Sequence, residues 1–105
     1  MKPTIKQVKK VLMNNKELQE AYKYHEDVAK TLKHWAQYKS YEDFVDRIIF
    51  TNPDNGAVCI SNEESININD GYDTYELLPT LDEDFKKAKI HVQWENAGAI
   101  STWEA

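Results

Sequence analysis

A chain of 105 residues, 41% of them hydrophobic and 11% aromatic, has the size and composition of one domain with a core of its own. Three glycines and three prolines are too few for a linker or low-complexity chain. No apolar run approaches the ~20 residues of a membrane span, and residues 1–7 lack the apolar stretch of a secretory signal. The single cysteine, Cys59, excludes an internal disulfide, and a reducing cytoplasm is the expected setting.

The net charge of -5 conceals a division. Residues 1–41 carry nine lysines against Glu17, Glu20, Glu26 and Asp27, a balance of +5. Residues 42–105 carry fourteen acids against Arg47, Lys86, Lys87 and Lys89, a balance of -10. Such a split suits two partner surfaces, or two halves of a homo-oligomer that attract each other.

In chain order, Pro3 and Thr4 open a helix, with Thr4 as N-cap and Ile5, Val8, Val11 and Leu12 as its apolar face. Asn14-Asn15 breaks it, and Asn15 can cap the next. From Asn15 to Tyr38, Leu18, Ala21, Tyr22, His25, Val28, Ala29, Leu32, Trp35 and Ala36 recur at spacings of three and four. That spacing predicts one long helix over 15–38, roughly 35 Å at 1.5 Å per residue, against which the rest packs. On its outer face Glu26 and Lys30 have the order and spacing of an ion pair.

Ser40 with Asp43 predicts a capped helix start, followed by Phe44, Val45, Ile48 and Ile49. Residues 44–51 carry both helix and strand signals; a short helix giving way to a strand is expected. Asn52-Pro53-Asp54-Asn55-Gly56 is a turn, so 48–61 reads as a β-hairpin. Short strands are expected at Ile66–Asn69 and Tyr72–Leu78, separated by the turn Asn69-Asp70-Gly71. Pro79 should end the second of these, and Thr80 should cap a helix over Leu81–Ala88. Ile90, Val92 and Trp94 alternate with polar residues, Asn96-Ala97-Gly98 turns, and Ala99 to Trp103 returns. This last hairpin would bring Trp94 to Trp103 if both fall on one face. Helices first and strands afterwards predict one α+β domain: helical over 1–46, mainly β over 47–105, with an antiparallel sheet of about four to six strands.

No chemistry-bearing motif emerges. His25 and His34 are nine residues apart on the expected helix, half a turn from each other, and His91 stands alone, so no metal pair forms. Cys59 sits between Val58 and Ile60 in an acidic region, where a thiolate is disfavoured. Ser65 to Gly71, with Glu76, approaches a calcium loop, but its glycine falls at the seventh position rather than the sixth. The clusters Glu42/Asp43/Asp46 and Asp82/Glu83/Asp84 are explained as helix starts. No glycine-rich phosphate loop is present, and a single arginine weighs against direct nucleic-acid binding. The sequence therefore predicts no catalytic residue, cofactor or metal.

What remains is surface. The expectation is a small non-catalytic protein-binding or regulatory protein with an acidic face, Glu63, Glu64, Asp70, Tyr72, Asp73 and Tyr75, turned toward a protein partner with a basic surface. Tyr38 and Tyr41 are further candidates for exposed aromatics. Carboxylates on a rigid surface can imitate a phosphate backbone, as inhibitors from mobile elements do. The lysine- and asparagine-rich, arginine-poor composition suits an AT-rich bacterial or phage genome. The alternative is a homo-oligomer whose basic helical half docks on a neighbour's acidic sheet. A third reading places a ligand pocket between helix and sheet, lined by Tyr22, Trp35 and Trp94.

Overall fold

In the computed structural model, which describes residues 2–71 and 75–104, Thr4 opens α1 (Ile5–Asn14) with a reciprocal cap. Its hydroxyl accepts from the Gln7 amide at 3.1 Å, and Gln7 Oε1 accepts from the Thr4 amide at 2.8 Å. Asn15 then ends α1 and caps α2 (Lys16–Ala29), accepting from the Leu18 amide at 2.7 Å.

α2 stops at Ala29 instead of running to Tyr38. The Thr31 and Leu32 amides both donate to the Val28 carbonyl, and the chain turns back along the helix it has just left. Trp35 stacks on His25, with ring centroids 5.3 Å apart, and His25 Nε2 donates to the Ala36 carbonyl at 2.7 Å. Tyr38 is buried edge-on against Phe44. A straight helix would have carried Trp35 and Tyr38 past the end of the core; folding back buries Tyr38 and half-buries Trp35, and a local period cannot distinguish the two outcomes. The expected Glu26–Lys30 pair is lost in the same rearrangement. Glu26 Oε1 faces the Tyr38 amide at 3.4 Å, while Lys30 approaches Asp27 at 3.9 Å.

Ser40 caps α3 (Tyr41–Ile48), accepting from the Asp43 amide at 3.1 Å. The helix passes directly into β1 (Ile49–Thr51), so 44–51 is helix and then strand. β2 (Val58–Ser61) returns antiparallel with Ile49 opposite Ile60. In the turn between them Gly56 has φ of 73° and donates to the Asn52 carbonyl at 2.8 Å.

The expected strands at 66–69 and 72–78 do not form among the described residues. Asn69 and Leu77 make an isolated antiparallel bridge, and residues 72–74 lie outside the described residues. The Asn62 side chain takes the place of a ladder here. Its Nδ2 donates to Asn69 Oδ1 and the Ala97 carbonyl, and its Oδ1 accepts from the Ile68 amide.

Pro79 does not terminate a strand but begins α4 (Pro79–Lys87), at a position where its missing N–H costs nothing. Thr80 is no cap: its hydroxyl donates to Glu17 Oε1 at 2.7 Å and ties α4 to α2. Lys89, with φ of 59°, makes the left-handed turn into β3 (Ile90–Asn96), which pairs with β4 (Ala99–Glu104).

The sheet is antiparallel throughout, in the order β1-β2-β4-β3. α1 and α3 pack on β1 and α4 on β3, giving an α+β domain. Ile49, Ile60, Ile100 and Trp94 share one row across the sheet, while Phe50, Cys59, Ser101 and Gln93 share a row on the other face. Trp94 pairs with Ile100 and Trp103 with His91, so the two tryptophans fall on opposite faces and do not meet. Phe44, Phe85, Leu12, Leu18 and Ile60 are among the largest fully buried side chains. Among the described residues no helix is long and apolar enough to cross a membrane.

Candidate functional site

The residues with the richest chemistry are used for packing. His25 is buried under Trp35, whereas His34 and His91 are exposed and separate. Cys59 is buried, and that burial, followed by the nearby Glu95 carboxylate, pushes its thiol up. It therefore lacks the depressed pKa of a nucleophile. Among the described residues no group of three or more His, Cys, Asp or Glu is placed to hold a metal ion. Tyr22, Trp35 and Trp94 do not share a pocket. Tyr22 packs against Tyr38, Tyr41 and Phe44, while Trp94 meets Tyr75. Tyr38 and Tyr41 are likewise not exposed anchors. Tyr38 is buried, and Tyr41 is half-buried with its hydroxyl donating to the Leu12 carbonyl.

An acidic feature does form, from the end of the 62–78 connection, the start of α4 and the middle of β3. Asp70, Glu76 and Asp82 line an open cleft of about 430 Å³ with Tyr75, Leu77, Pro79, Val92 and Trp94. The walls follow from local structure. The Asp70 amide donates to the Glu76 carbonyl at 2.7 Å, holding the two flanks of the connection together. Pro79 starts α4, so Asp82 falls in its first turn, where a carboxylate suits the helix dipole. The period of β3 sends Val92 and Trp94 to the helix-bearing face together. Tyr75, 59% exposed, stands edge-on to Trp94 at 6.0 Å. Lys86 reaches back to Asp82 at 3.0 Å, an exposed pair four residues apart.

Of the residues expected on an acidic face, Asp70 and Tyr75 line this cleft. Glu63 lies against Gly98, and Glu64 lies near Tyr38, whose hydroxyl is held up chiefly by burial and then by that carboxylate. Tyr72 and Asp73 lie outside the described residues. Sequence reasoning had not joined Glu76, Asp82 and Trp94 to the site. Glu76 reads there as a strand residue beside the near-miss calcium loop, Asp82 as a helix-start acid, and Trp94 as a hairpin aromatic or as part of a pocket with Tyr22 and Trp35. Compared with protein-family models, with curated proteins and with solved structures, the chain matches none of them.

Proposed function

We propose that this chain is a small non-catalytic protein-binding or regulatory protein that takes a basic segment of a protein partner into the acidic cleft. The observation that carries this reading is the convergence of three carboxylates, Asp70, Glu76 and Asp82, with the Tyr75–Trp94 pair around one open cleft. A lysine or arginine side chain suits such a place. Its methylene stem can lie on Val92 and Leu77, and its charge can meet the carboxylates and the aromatic faces. A partner that ordinarily grips phosphates would present such side chains, so inhibition by occupying a nucleic-acid-binding groove falls within this reading. A reducing, cytoplasmic setting belongs to the same proposal, since the one thiol is buried and unpaired.

The test is an NMR titration with a lysine-rich heptapeptide at low and high salt. Shifts should gather at the Trp94 indole and the amides of Leu77 and Asp82. Binding should weaken tenfold or more in the double variant Asp70→Asn/Glu76→Gln, about 1.4 kcal/mol or more. Unchanged affinity in that variant, or shifts scattered over the whole chain, would remove the cleft as the docking site.

A further inference from the structure

A second groove, of opposite sign, lies on the other side of α4. Two adjoining hollows of about 410 and 330 Å³ share Gln7, Ala88 and Ile90 and run between α1 and the α4–β3 junction. Lys2, Lys10, Lys87 and Lys89 line them, against the acids Asp84 and Glu104. Asp84 is already engaged by the Asn15 amide at 2.9 Å. The basic balance is notable in a chain of net charge -5. It is also not the basic half of the sequence: Lys87 and Lys89 come from the acidic half and join Lys2 and Lys10 only in the fold. Lys9 and Lys86 form ion pairs with acids of their own chain, whereas Lys10, Lys87 and Lys89 form none among the described residues. Beneath the lysines the floor is apolar, with Val11, Ala88 and Ile90.

The acidic cleft and this groove flank one helix. Asp82 of α4 and Trp94 of β3 face the cleft, while Lys87 of α4 and Ile90 of β3 face the groove. We infer that the occupant of the cleft is a second copy of this chain, docked by its lysine groove in a head-to-tail contact. This rests on the reading of the cleft as a docking site and names its partner. Charge complementarity argues it: Asp70 and Glu76, beside an Asp82 that already holds Lys86, meet Lys10, Lys87 and Lys89, which form no ion pair among the described residues, and the exposed Tyr75 ring has the apolar groove floor to rest on. A nucleic-acid backbone would satisfy the lysines but leave that floor unused, and no arginine is present in the groove to fork a phosphate. Because the two surfaces differ, the contact is heterologous, and each added copy leaves one cleft and one groove open.

Sedimentation of the full chain tests this with two double variants, Lys10→Gln/Lys87→Gln in the groove and Asp70→Asn/Glu76→Gln in the cleft. The unaltered chain should exceed its 12.3 kDa monomer mass at about 0.1 M salt and approach it at about 1 M, where screening is nearly complete. Each variant alone should be monomeric. An equimolar mixture should form a dimer that grows no further, because it contains one intact groove and one intact cleft. A monomeric mixture, or self-association that neither variant weakens, overturns the inference. A monomeric unaltered chain also overturns it. If that monomer still binds the lysine peptide in the cleft, only the identity of the partner has failed; if it does not, the docking reading fails with it.

Discussion

At the scale of single residues, Asn15 does the most for the fold. It is fully buried, yet its amide is spent in several directions. Oδ1 accepts from the Leu18 amide, while Nδ2 donates to Thr80 Oγ1 at 3.3 Å and Asp84 Oδ2 at 2.9 Å. One residue thus ends α1 through its backbone amide, while its side chain caps α2 and holds the first turns of α4. Asn15→Ala should cost about 2–3 kcal/mol in urea denaturation, from the lost cap and the buried partners left unpaired. Asn15→Asp keeps the cap acceptor but sets a carboxylate beside Asp84, so it should destabilise as well. A variant Asn15→Asp as stable as the unaltered chain would show that the bonds to α4 contribute nothing. The cap function of Asn15 was legible in the sequence, because an N-cap is a local bond. Its reach to α4 was not, because that contact is made across a sequence separation of 69 residues.

At the scale of elements, the segment from Lys30 to Ser40 shows where periodicity misleads. The 3.6-residue spacing over 15–38 is real, yet the turn-back leaves Leu32 and Ala36 exposed and buries Tyr38 instead. His25 decides between helix and turn-back by stacking on Trp35 and bonding the Ala36 carbonyl. Trp35→Ala should therefore release this segment while the sheet stays intact. Hydrogen exchange should quicken about tenfold or more at amides 30–38, with β2 and β4 unchanged. Uniform acceleration through the sheet would mean that the segment opens together with the core. The 62–78 connection carries the same lesson. Ile66 and Ile68 alternate as a strand would, yet pairing stops at a single bridge to residues 76–78, and the Ile68 amide goes to the Asn62 side chain instead.

At the scale of the whole molecule, the tyrosine cluster links core packing to pH. Burial raises the pKa of Tyr22, Tyr38 and Tyr41 above the ordinary 10, and Tyr22, also facing Glu26, is pushed up to about 12. The folded state therefore keeps phenolic protons that the unfolded chain releases. The stability these groups confer is complete below pH 10 and is lost as pH rises above it, the share of Tyr22 as pH passes about 12 and that of the more strongly raised Tyr41 later. Stability measured by denaturation should fall across that window. Tyrosinate absorbance should reach its full value only as the fold is lost. Complete, reversible ionisation of all six tyrosines with the fold retained would contradict the buried cluster.

The sequence by itself determined the helix starts at Thr4, Asn15 and Ser40, the hairpins over 48–61 and 90–103, and the α+β class. These rest on caps, turns and alternation, which act within a few residues. It also placed Asp70 and Tyr75 in a polar, acidic stretch. Only the tertiary structure decided where α2 stops, that Trp94 and Trp103 part company, and which acids share a cleft. It likewise gathered Lys2, Lys10, Lys87 and Lys89 from both ends of the chain around one groove. The reason is physical: a cleft or groove is the space left between packed elements, and its charge is the sum over whichever side chains border it. Neither quantity exists along the chain until α4 is seated between α1 and β3.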